Sequence, residues 1–412
     1  MEQFMERPWA LARMHEGPLG NHIDAFTQNL AAHGYARASI RRAIWIVGDF
    51  SRWMLRRGIS TDHLSEAYID AFLRCRKRRR IPRWEDRPTL QRLISHLIQQ
   101  GIPVGPASVA VSQTSAQRIA EAHGIYLRDV RNLAPSTIHG GVKTVRKLLT
   151  SLFGDAEVVL EQMTAADVIE FVRKLACRCS HRSASRVVSD VRTFLRSAHH
   201  RGLTRIDLSG CIPSPANWSL SSIPKALDEN QVRRVLAHCD PTTANGCRDY
   251  AIILLLARLG LRAGEVAAMR LDDIDWKAGK LSVRNGETRQ DCLPLPHDVG
   301  AALAAYLRQG RPPCSTRHLF VRAQAPRTAF SSGTAIASIT RRAFRRADMD
   351  PPSKGAHVLR HSLATQMLRR GASLAEIGQV LRHRQQSTTM IYAKVDLTSL
   401  RTLAQPWPGG AP

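Results

Sequence analysis

The chain has 412 residues, of which 43% are hydrophobic, and this length predicts two or three domains with buried cores rather than a disordered polymer. Its longest purely apolar run, Tyr250–Ala257, is far shorter than a membrane span, and the charged residues 1–20 predict no secretory signal. Lysine and arginine total 60 against 34 acidic residues, and this net charge of +26 indicates a polyanionic partner, of which nucleic acid is the obvious one.

These features exclude membrane and secreted proteins, so we expect a cytoplasmic protein whose eight cysteines are reduced thiols. Cys177, Cys179 and His181 alternate at a spacing unlike that of zinc ligands, so no metal site is predicted. The basic residues are mostly arginine, whose planar fork matches phosphate oxygens better than lysine does. A GC-rich genome is the alternative cause of the arginine bias, but it does not explain the net charge.

Helical periodicity dominates residues 1–105, which we expect to form an N-terminal helical extension. Ser39 is a candidate N-cap for a helix over 40–57. The basic run over 74–83 is typical of a solvated face or linker, and direct phosphate contact is the alternative. Glycine and proline over 101–107 then indicate a domain boundary.

A second helical block over 115–208, which we expect to be a core-binding DNA-binding domain, echoes the order of the first. In each block a capped helix, here with Ser136 as the candidate cap, leads to a short helix ending in phenylalanine. The separation across Ile40–Phe72 is 32 residues, and that across Ile138–Phe171 is 33. The pattern predicts a duplicated helical module, with chance similarity of two amphipathic bundles as the alternative.

The last helix of the second block has an apolar face and an opposite face rich in arginine. At 100° per residue, the apolar residues from Val187 to Ala198 fall within one arc. The arginines on the other side are Arg182, Arg186, Arg192 and Arg196. We predict that this face contacts DNA, the alternative being an ordinary solvent-exposed helix face.

A proline-containing linker over 209–224 leads to a C-terminal domain over 225–405 and a tail over 406–412. A buried helix is predicted over 247–259, with Asn285-Gly286 as the turn of a small hairpin. Three short strands are predicted at 274–276, 280–284 and 291–294, and further helices at 297–309, 335–347, 356–369 and 373–382. Ser373 and Glu376 form a capping box. The predicted fold class is mainly α with a small antiparallel β-sheet in the C-terminal domain, preceded by all-α DNA-binding modules.

Five residues of this domain form a chemically coherent set. Arg262 follows the buried helix in a glycine-containing turn, where Glu265 is positioned to orient its guanidinium. His357 and Arg360 are three residues apart and share one face of a helix. His383 and Tyr392 follow nine residues apart in the next segment.

In this order the residues resemble the tyrosine recombinase, or phage integrase, family. The segments 259–265, 357–365 and 381–392 match the signature boxes of that family, and the resemblance covers 222–400. Residues 115–205 are similar to its core-binding domain in position and character. The resemblance implies a site-specific DNA recombinase or integrase that cuts and rejoins double-stranded DNA through a 3′-phosphotyrosine. It also implies a homotetramer on DNA, or a mixed assembly with related recombinases, and no ATP, metal or other cofactor.

The family roles agree with the chemistry of these side chains. Arg262 and Arg360 would hold the non-bridging phosphate oxygens, and His383 would donate a further hydrogen bond. Tyr392 would be the nucleophile, with its pKa lowered by the guanidinium groups and its proton taken by His357. The neighbouring His361, like the pair at 199–200, is interpreted as a structural or surface residue.

One departure from the family pattern concerns the lysine that protonates the leaving 5′-oxygen. Its position in the hairpin falls on Gly286, and neither neighbour that follows can serve. Strand alternation places Arg284 at the hairpin tip, where we predict that it contacts DNA and partly replaces the lysine, with Arg289 as the reserve candidate. Two other functions stay open: a catalytically silent DNA-binding accessory of a sister recombinase, and a relaxing topoisomerase.

Overall fold

Helices make up most of the chain, and one three-stranded antiparallel sheet lies in its C-terminal part, which confirms the predicted fold class. The computed structural model describes residues 2–4, 8–77, 83–102, 114–214, 223–284, 290–351, 353–395 and 400. The chain divides into two units, Met1–Pro106 together with Ser222–Pro412, and Ala107–Ser221. None of the described helices is long and apolar enough to cross a membrane.

The described residues of the N-terminal part of the first unit form five α-helices around an apolar core. They are α1 (Pro8–Met14), α2 (Gly20–Ala32), α3 (Arg37–Leu55), α4 (Glu66–Lys77) and α5 (Asp86–Gln99). The prediction that Ser39 caps α3 is wrong, because the extended residue is Ala36 and Ser39 lies in the first turn, where it accepts a hydrogen bond from Arg42. In the basic run, Arg76 forms an ion pair with Asp49 at 2.5 Å, while residues 78–82 lie outside the described residues.

Residues 114–214 of the second unit form four α-helices. They are α6 (Ser115–Asp129), α7 (Pro135–Phe153), α8 (Ala165–Ala176) and α9 (His181–His200). Ser136 is not a cap, because α7 begins at Pro135, whose fixed φ suits the first helical position. The predicted linker also begins too early: Leu208–Cys211 form a 3-10 helix and Ile212 is buried against the unit's core.

Helices α2–α5 and α6–α9 follow the same order, with a short 3-10 helix between the second and third members. The second helices both have 19 residues and the third helices both have 12. In each set the first and last helices meet through a histidine: Phe26 contacts His96 with ring centroids 5.8 Å apart, and His123 contacts Phe194 at 5.3 Å. This similarity is what a duplication would leave, and the duplication stays a prediction.

The described residues of the C-terminal part form seven α-helices and the sheet, with the buried helix α11 at the centre. The helices are α10 (Glu229–Ala237), α11 (Ala244–Arg258), α12 (Ala263–Ala268), α13 (His297–Ala305), α14 (Gly333–Arg346), α15 (His357–Arg369) and α16 (Leu374–Val380). The strands β1 (Ile274–Asp275), β2 (Lys280–Arg284) and β3 (Gln290–Pro294) pair in sequence order, with Leu281 opposite Leu293. The predicted turn at 285–286 lies outside the described residues.

Two helices of the C-terminal part end earlier than their periodicity predicts. After α13 the chain continues as one wider turn, Tyr306–Gly310, which buries Tyr306 and lets its hydroxyl accept a hydrogen bond from the Val321 amide. Helix α16 ends at Val380, and its predicted capping box with Ser373 is present. The early end of α16 places the residues that follow it against α15.

A buried histidine makes the stability of the second unit depend on pH. His123 in α6 is 2% exposed and bonds to Ser197 in α9. Burial, with a smaller effect of the Arg201 cation, lowers its pKa from 6.5 to about 4. In the unfolded chain the ring takes up a proton below about pH 6.5, whereas in the folded unit it does so only near pH 4. The stability it confers is therefore complete above pH 6.5 and is lost as pH falls toward 4.

We expect acidification from pH 7 to pH 4.5 to lower the free energy of local unfolding by up to about 3 kcal/mol, since one pKa unit corresponds to about 1.4 kcal/mol. Hydrogen exchange of the α6 and α9 amides, corrected for the intrinsic rate at each pH, measures this change. His123→Phe removes the titrating group and should abolish the difference. Equal pH dependence in both proteins would show that other groups control it.

Candidate active site

Arg262 is held by the turn between α11 and α12. It occupies the N-cap position of α12, and the carboxylate of Glu265 accepts hydrogen bonds from the Arg262 amide at 2.7 Å and from Nη1 at 2.8 Å. The Glu265 side chain is nearly buried, whereas that of Arg262 is 36% exposed. Glu265 therefore orients the guanidinium as predicted, and the rest of the fork faces outward.

Arg360 is buried at the point where three segments meet. Its Nη1 donates to the Gly260 carbonyl before α12, and its Nη2 donates to the Leu381 carbonyl after α16. Gly260 has φ +58°, and a Cβ there would lie 2.6 Å from the Leu381 side chain, so the close approach requires glycine. Burial, and to a lesser degree the cations Arg262 and Arg382, lower the Arg360 pKa to about 10, which leaves it protonated at neutral pH.

His383 lies just beyond α16, with the Nδ1 edge of its ring toward Thr389. Its Nδ1 is 2.7 Å from the Thr389 hydroxyl, which is itself buried. Burial first, and then the nearby cations Arg360 and Arg262, lower the pKa of His383 to about 4. The ring is therefore neutral at pH 7, and when Nδ1 accepts the threonine proton, Nε2 carries the hydrogen that it can donate.

Tyr392 is 1% exposed and lies in the 3-10 helix Met390–Val395. Its hydroxyl oxygen is 2.8 Å from Nδ1 of His361. Burial raises the pKa of Tyr392 to about 12, and the opposing effect of Arg360 is smaller. The expectation that guanidinium charge lowers this pKa is therefore wrong for the protein without DNA, because loss of solvation outweighs the cation.

His361 is a site residue that sequence reasoning missed. It was assigned to the structural or surface class, but its ring packs against Tyr392 with centroids 5.7 Å apart. His357, which was expected to take the tyrosine proton, is exposed, and its ring lies 5.5 Å from that of His361. The available signal was the four-residue spacing from His357, which places both rings on one face of α15. Burial lowers the pKa of His361 to about 4, so the ring is neutral at pH 7, and in the tautomer with its hydrogen on Nε2 the Nδ1 atom accepts the proton of the Tyr392 hydroxyl.

Of the two arginines proposed to replace the missing lysine, Arg284 lies among the described residues and Arg289 does not. Arg284, at the end of β2, donates from Nε and Nη2 to Asp273, at 3.2 and 3.0 Å. The Asp273 side chain is buried, whereas that of Arg284 is 47% exposed. Gly286 and Arg289 lie outside the described residues. Arg284 thus has a structural partner, and its role toward DNA stays a prediction.

The predicted arginine face of α9 is not a set of four free guanidinium groups. Arg192 donates from Nη2 to the Ile212 carbonyl at 2.5 Å, and Arg196 donates from Nε to Ser209 at 3.2 Å. These two side chains fasten the segment after α9, a contact that helix periodicity does not reveal. Arg186 is exposed, with Asp190 at 3.9 Å, and the side chain of Arg182 lies outside the described part. The apolar face of α9 packs as predicted.

Family models match two parts of the chain, the C-terminal domain and the second helical block. The family model described as "Phage integrase family" matches residues 225–398, and "Phage integrase, N-terminal SAM-like domain" matches residues 121–202. The protein named integrase/recombinase y4rA of Sinorhizobium fredii is 43% identical over 411 residues, which covers 100% of both chains. Tyrosine recombinase XerD of Xanthomonas axonopodis pv. citri is 31% identical over 231 residues, 54% of this chain and 75% of XerD.

Two solved structures share the fold at low sequence identity. A complex of the XerH site-specific recombinase aligns with a TM-score of 0.55 at 15% identity, over 72% of this chain and 96% of XerH. A complex of lambda integrase aligns with a TM-score of 0.52 at 15% identity, over 68% and 95% of the two chains.

The family matches, together with the fold and the arginine, histidine and tyrosine residues of the site, thus place the chain in the class of DNA strand-exchange proteins whose signature residues include a tyrosine. The chain belongs to the phage integrase, or tyrosine recombinase, family, whose members cleave and rejoin DNA.

Proposed function

We propose that this chain is a site-specific DNA recombinase of the integrase type. The hydroxyl of Tyr392 attacks the scissile phosphorus, forming a 3′-phosphotyrosine and releasing a free 5′-hydroxyl, and the reverse attack by a 5′-hydroxyl rejoins the strand. The observation that carries the proposal is the hydrogen-bonding contact between Tyr392 and His361 beside the buried Arg360. The phosphodiester energy is conserved in the protein–DNA bond, so the reaction requires no ATP.

The arginines stabilise charge that accumulates on the non-bridging oxygens in the transition state. Arg262 presents the part of its fork that Glu265 does not hold. Both terminal nitrogens of Arg360 donate to carbonyls, but each carries a second hydrogen, so the guanidinium keeps donors for phosphate. His383 adds a donor from Nε2. All three groups are fixed before DNA binds, so little reorganisation accompanies the reaction.

His361 is the proton acceptor that the contacts favour for Tyr392, in place of His357. Its Nδ1 already lies at hydrogen-bonding distance from the nucleophile. In the protein without DNA its low pKa makes it a weak base, because burial and the Arg360 cation both disfavour a second proton. A phosphate bound between Arg262 and Arg360 adds negative charge at this point, which raises the proton affinity of His361 and brings the transfer within reach.

His361→Asn should slow cleavage at pH 7 by about 100-fold, the lower end of general-base contributions, because asparagine cannot accept a proton. Single-turnover cleavage by the parent should vary little between pH 6 and 8. Cleavage by the variant should instead rise with hydroxide concentration, about tenfold for each pH unit. His357→Asn is the matched comparison, and that slope in His357→Asn alone would assign the proton transfer to His357.

A catalytically silent DNA-binding accessory is the second candidate, and the missing hairpin lysine at Gly286 favours it. A duplex nicked beside the scissile phosphate distinguishes the two functions, because loss of the short fragment traps the covalent intermediate. We expect a protein–DNA adduct that forms in EDTA without ATP and is absent with Tyr392→Phe. DNA binding without an adduct at any duplex derived from the target site would favour the accessory function.

Double-stranded DNA is the proposed partner, in agreement with the high positive charge. The XerH and lambda integrase structures that share this fold are complexes with DNA. Exchange between two duplexes involves four strands and hence four active sites. A homotetramer on DNA is therefore the proposed assembly, and a mixed assembly with related recombinases is the alternative.

Arg186 is the arginine of α9 that we propose to contact phosphate. Arg186→Ala should reduce the slope of log K against log salt by about 0.9, the value for one lost phosphate contact on duplex DNA. Arg205→Ala is the control, because its side chain is 83% exposed and its ion pair with Glu161 is at the surface. Filter binding over a range of salt concentrations measures both slopes, and an unchanged slope for Arg186→Ala would mean that the face is only solvated.

Arg284 is proposed to stabilise the leaving 5′-oxygen by hydrogen bonding, because its pKa above about 12 makes it a poor proton donor. Arg284→Ala should cleave normal DNA slowly but recover on DNA with sulfur at the bridging 5′ position, whose thiolate leaves without a proton. Equal slowing on both substrates would contradict a leaving-group role and point to the Asp273 ion pair. Undiminished cleavage of both would dismiss Arg284 from the reaction.

A further inference from the structure

Arg382 occupies a backbone position that favours glycine. It follows the last turn of α16 with φ +55°. Its amide donates to the Gln379 carbonyl at 2.9 Å, and the next amide, that of His383, donates to the Gly378 carbonyl at 2.9 Å. This pair of bonds is the Schellman arrangement, in which the left-handed residue is most often glycine because a Cβ is disfavoured there.

The side chain of Arg382 is also costly to bury. It is 6% exposed, and its Nη1 has no hydrogen-bond acceptor among the described residues. Its charge lies close enough to Arg360 and His383 to lower the pKa of both. A strained backbone, an unmet donor and cationic neighbours all destabilise the fold, so stability alone does not explain an arginine here.

The contact that Arg382 makes leads directly to the phosphate-binding fork. Its Nη2 donates to Oε2 of Glu265 at 2.8 Å, and Oε1 of the same carboxylate holds Nη1 of Arg262 at 2.8 Å. Its Nε lies 3.8 Å from Asp291 on β3. Arg382 therefore fixes the second oxygen of the carboxylate that orients Arg262, and it ties the end of α16 to α12.

We propose that Arg382 is a positioning residue for strand cleavage, acting through Glu265 to hold the Arg262 fork toward the scissile phosphate. This inference rests on the proposed function of the site. Without Arg382, Oε2 of Glu265 keeps the hydrogen bond from the Arg262 amide but loses its charged partner, so the carboxylate is held less firmly. The Arg262 guanidinium would then keep its charge but would no longer be held toward the scissile phosphate. DNA would still bind, whereas cleavage would slow.

The test compares Arg382→Gly with Asp348→Gly. Asp348 has φ +49° after α14 and the same pair of bonds, from its amide to the Arg345 carbonyl and from the Met349 amide to the Phe344 carbonyl. Its side chain is exposed. The 14 residues of α14, at a rise of 1.5 Å per residue, make a helix about 20 Å long, and this length separates Asp348 from the Arg262 turn. Both substitutions relieve left-handed strain, so Asp348→Gly should not lower the melting temperature. Because Arg382→Gly also removes a buried ion pair, its DNA binding and cleavage are measured at a temperature at which the variant is fully folded.

Arg382→Gly should slow single-turnover cleavage at saturating DNA by tenfold or more, with the dissociation constant for DNA changed less than threefold. Arg382→Lys keeps one donor and should recover part of the rate, whereas Asp348→Gly should cleave at the parental rate. A lower melting temperature in Arg382→Gly, with DNA binding and cleavage reduced in parallel, would assign Arg382 a structural role and overturn the proposal.

A double-mutant cycle with Arg262→Lys tests the route through Glu265. Because lysine has no fork to orient, Arg382→Gly should add little to the loss caused by Arg262→Lys. Independent, additive losses would overturn the proposal, because Arg382 would then act by another route.

A readout without DNA separates this inference from the proposed function. The Nε–H resonance of Arg262, assigned by its absence in Arg262→Lys, should shift or broaden in Arg382→Gly and stay unchanged in Asp348→Gly. An unmoved resonance in Arg382→Gly would overturn the positioning role even if the parent cleaves DNA. A parent that forms no adduct, combined with a moved resonance, would refute the proposed function and leave the positioning of Arg262 established.

Discussion

The guanidinium of Arg360 is the point on which the geometry of the site depends. It lies in α15 but donates to carbonyls before α12 and after α16, so one buried side chain fixes the spacing of the segments that carry Arg262 and His383. Burying such a cation costs several kcal/mol unless its hydrogen bonds are satisfied. The two carbonyls and the nearby carboxylate of Glu265 offset this cost, and glycine at 260 permits the close approach. Because the carbonyls would lose their donor without Arg360, both segments would be released together.

Burial also sets the protonation state of Tyr392, the proposed nucleophile, in the protein without DNA. Two opposing effects act on Tyr392: loss of solvation raises its pKa, and Arg360 lowers it, and the first is larger. His361 and His383 are kept neutral by burial and by the same cations. The site is therefore rich in positive charge but holds no strong base while it is empty. In the proposed reaction a bound phosphate would supply the missing negative charge, which would couple activation of the tyrosine to occupancy of the arginines.

The residues of the signature boxes were predicted from their order along the chain and from the resemblance to the tyrosine recombinase family that this order carries. The strands and the Ser373 capping box were predictable from local sequence patterns. His361 and Arg382 were not, since their roles arise where α15, α12 and the end of α16 meet. The capping serines of α3 and α7 were misassigned because neighbouring residues, Ala36 and Pro135, set where those helices begin. Arg192 binds a carbonyl twenty residues away, which helix periodicity cannot indicate.

Without a lysine in the hairpin turn, the proposed reaction would depend on electrostatic stabilisation of the leaving 5′-oxygen rather than on its protonation. No lysine lies between Lys280, the first residue of β2, and Lys354, so the turn of the hairpin and the strand β3 contain no general acid of that type. In the proposed reaction Arg284 would stabilise the leaving 5′-oxygen as an oxyanion without protonating it, because arginine does not give up its proton at neutral pH. The same oxyanion would be the nucleophile for religation. Under this proposal, a site that relies on arginine would favour the rejoined strand and keep the cleaved state short-lived.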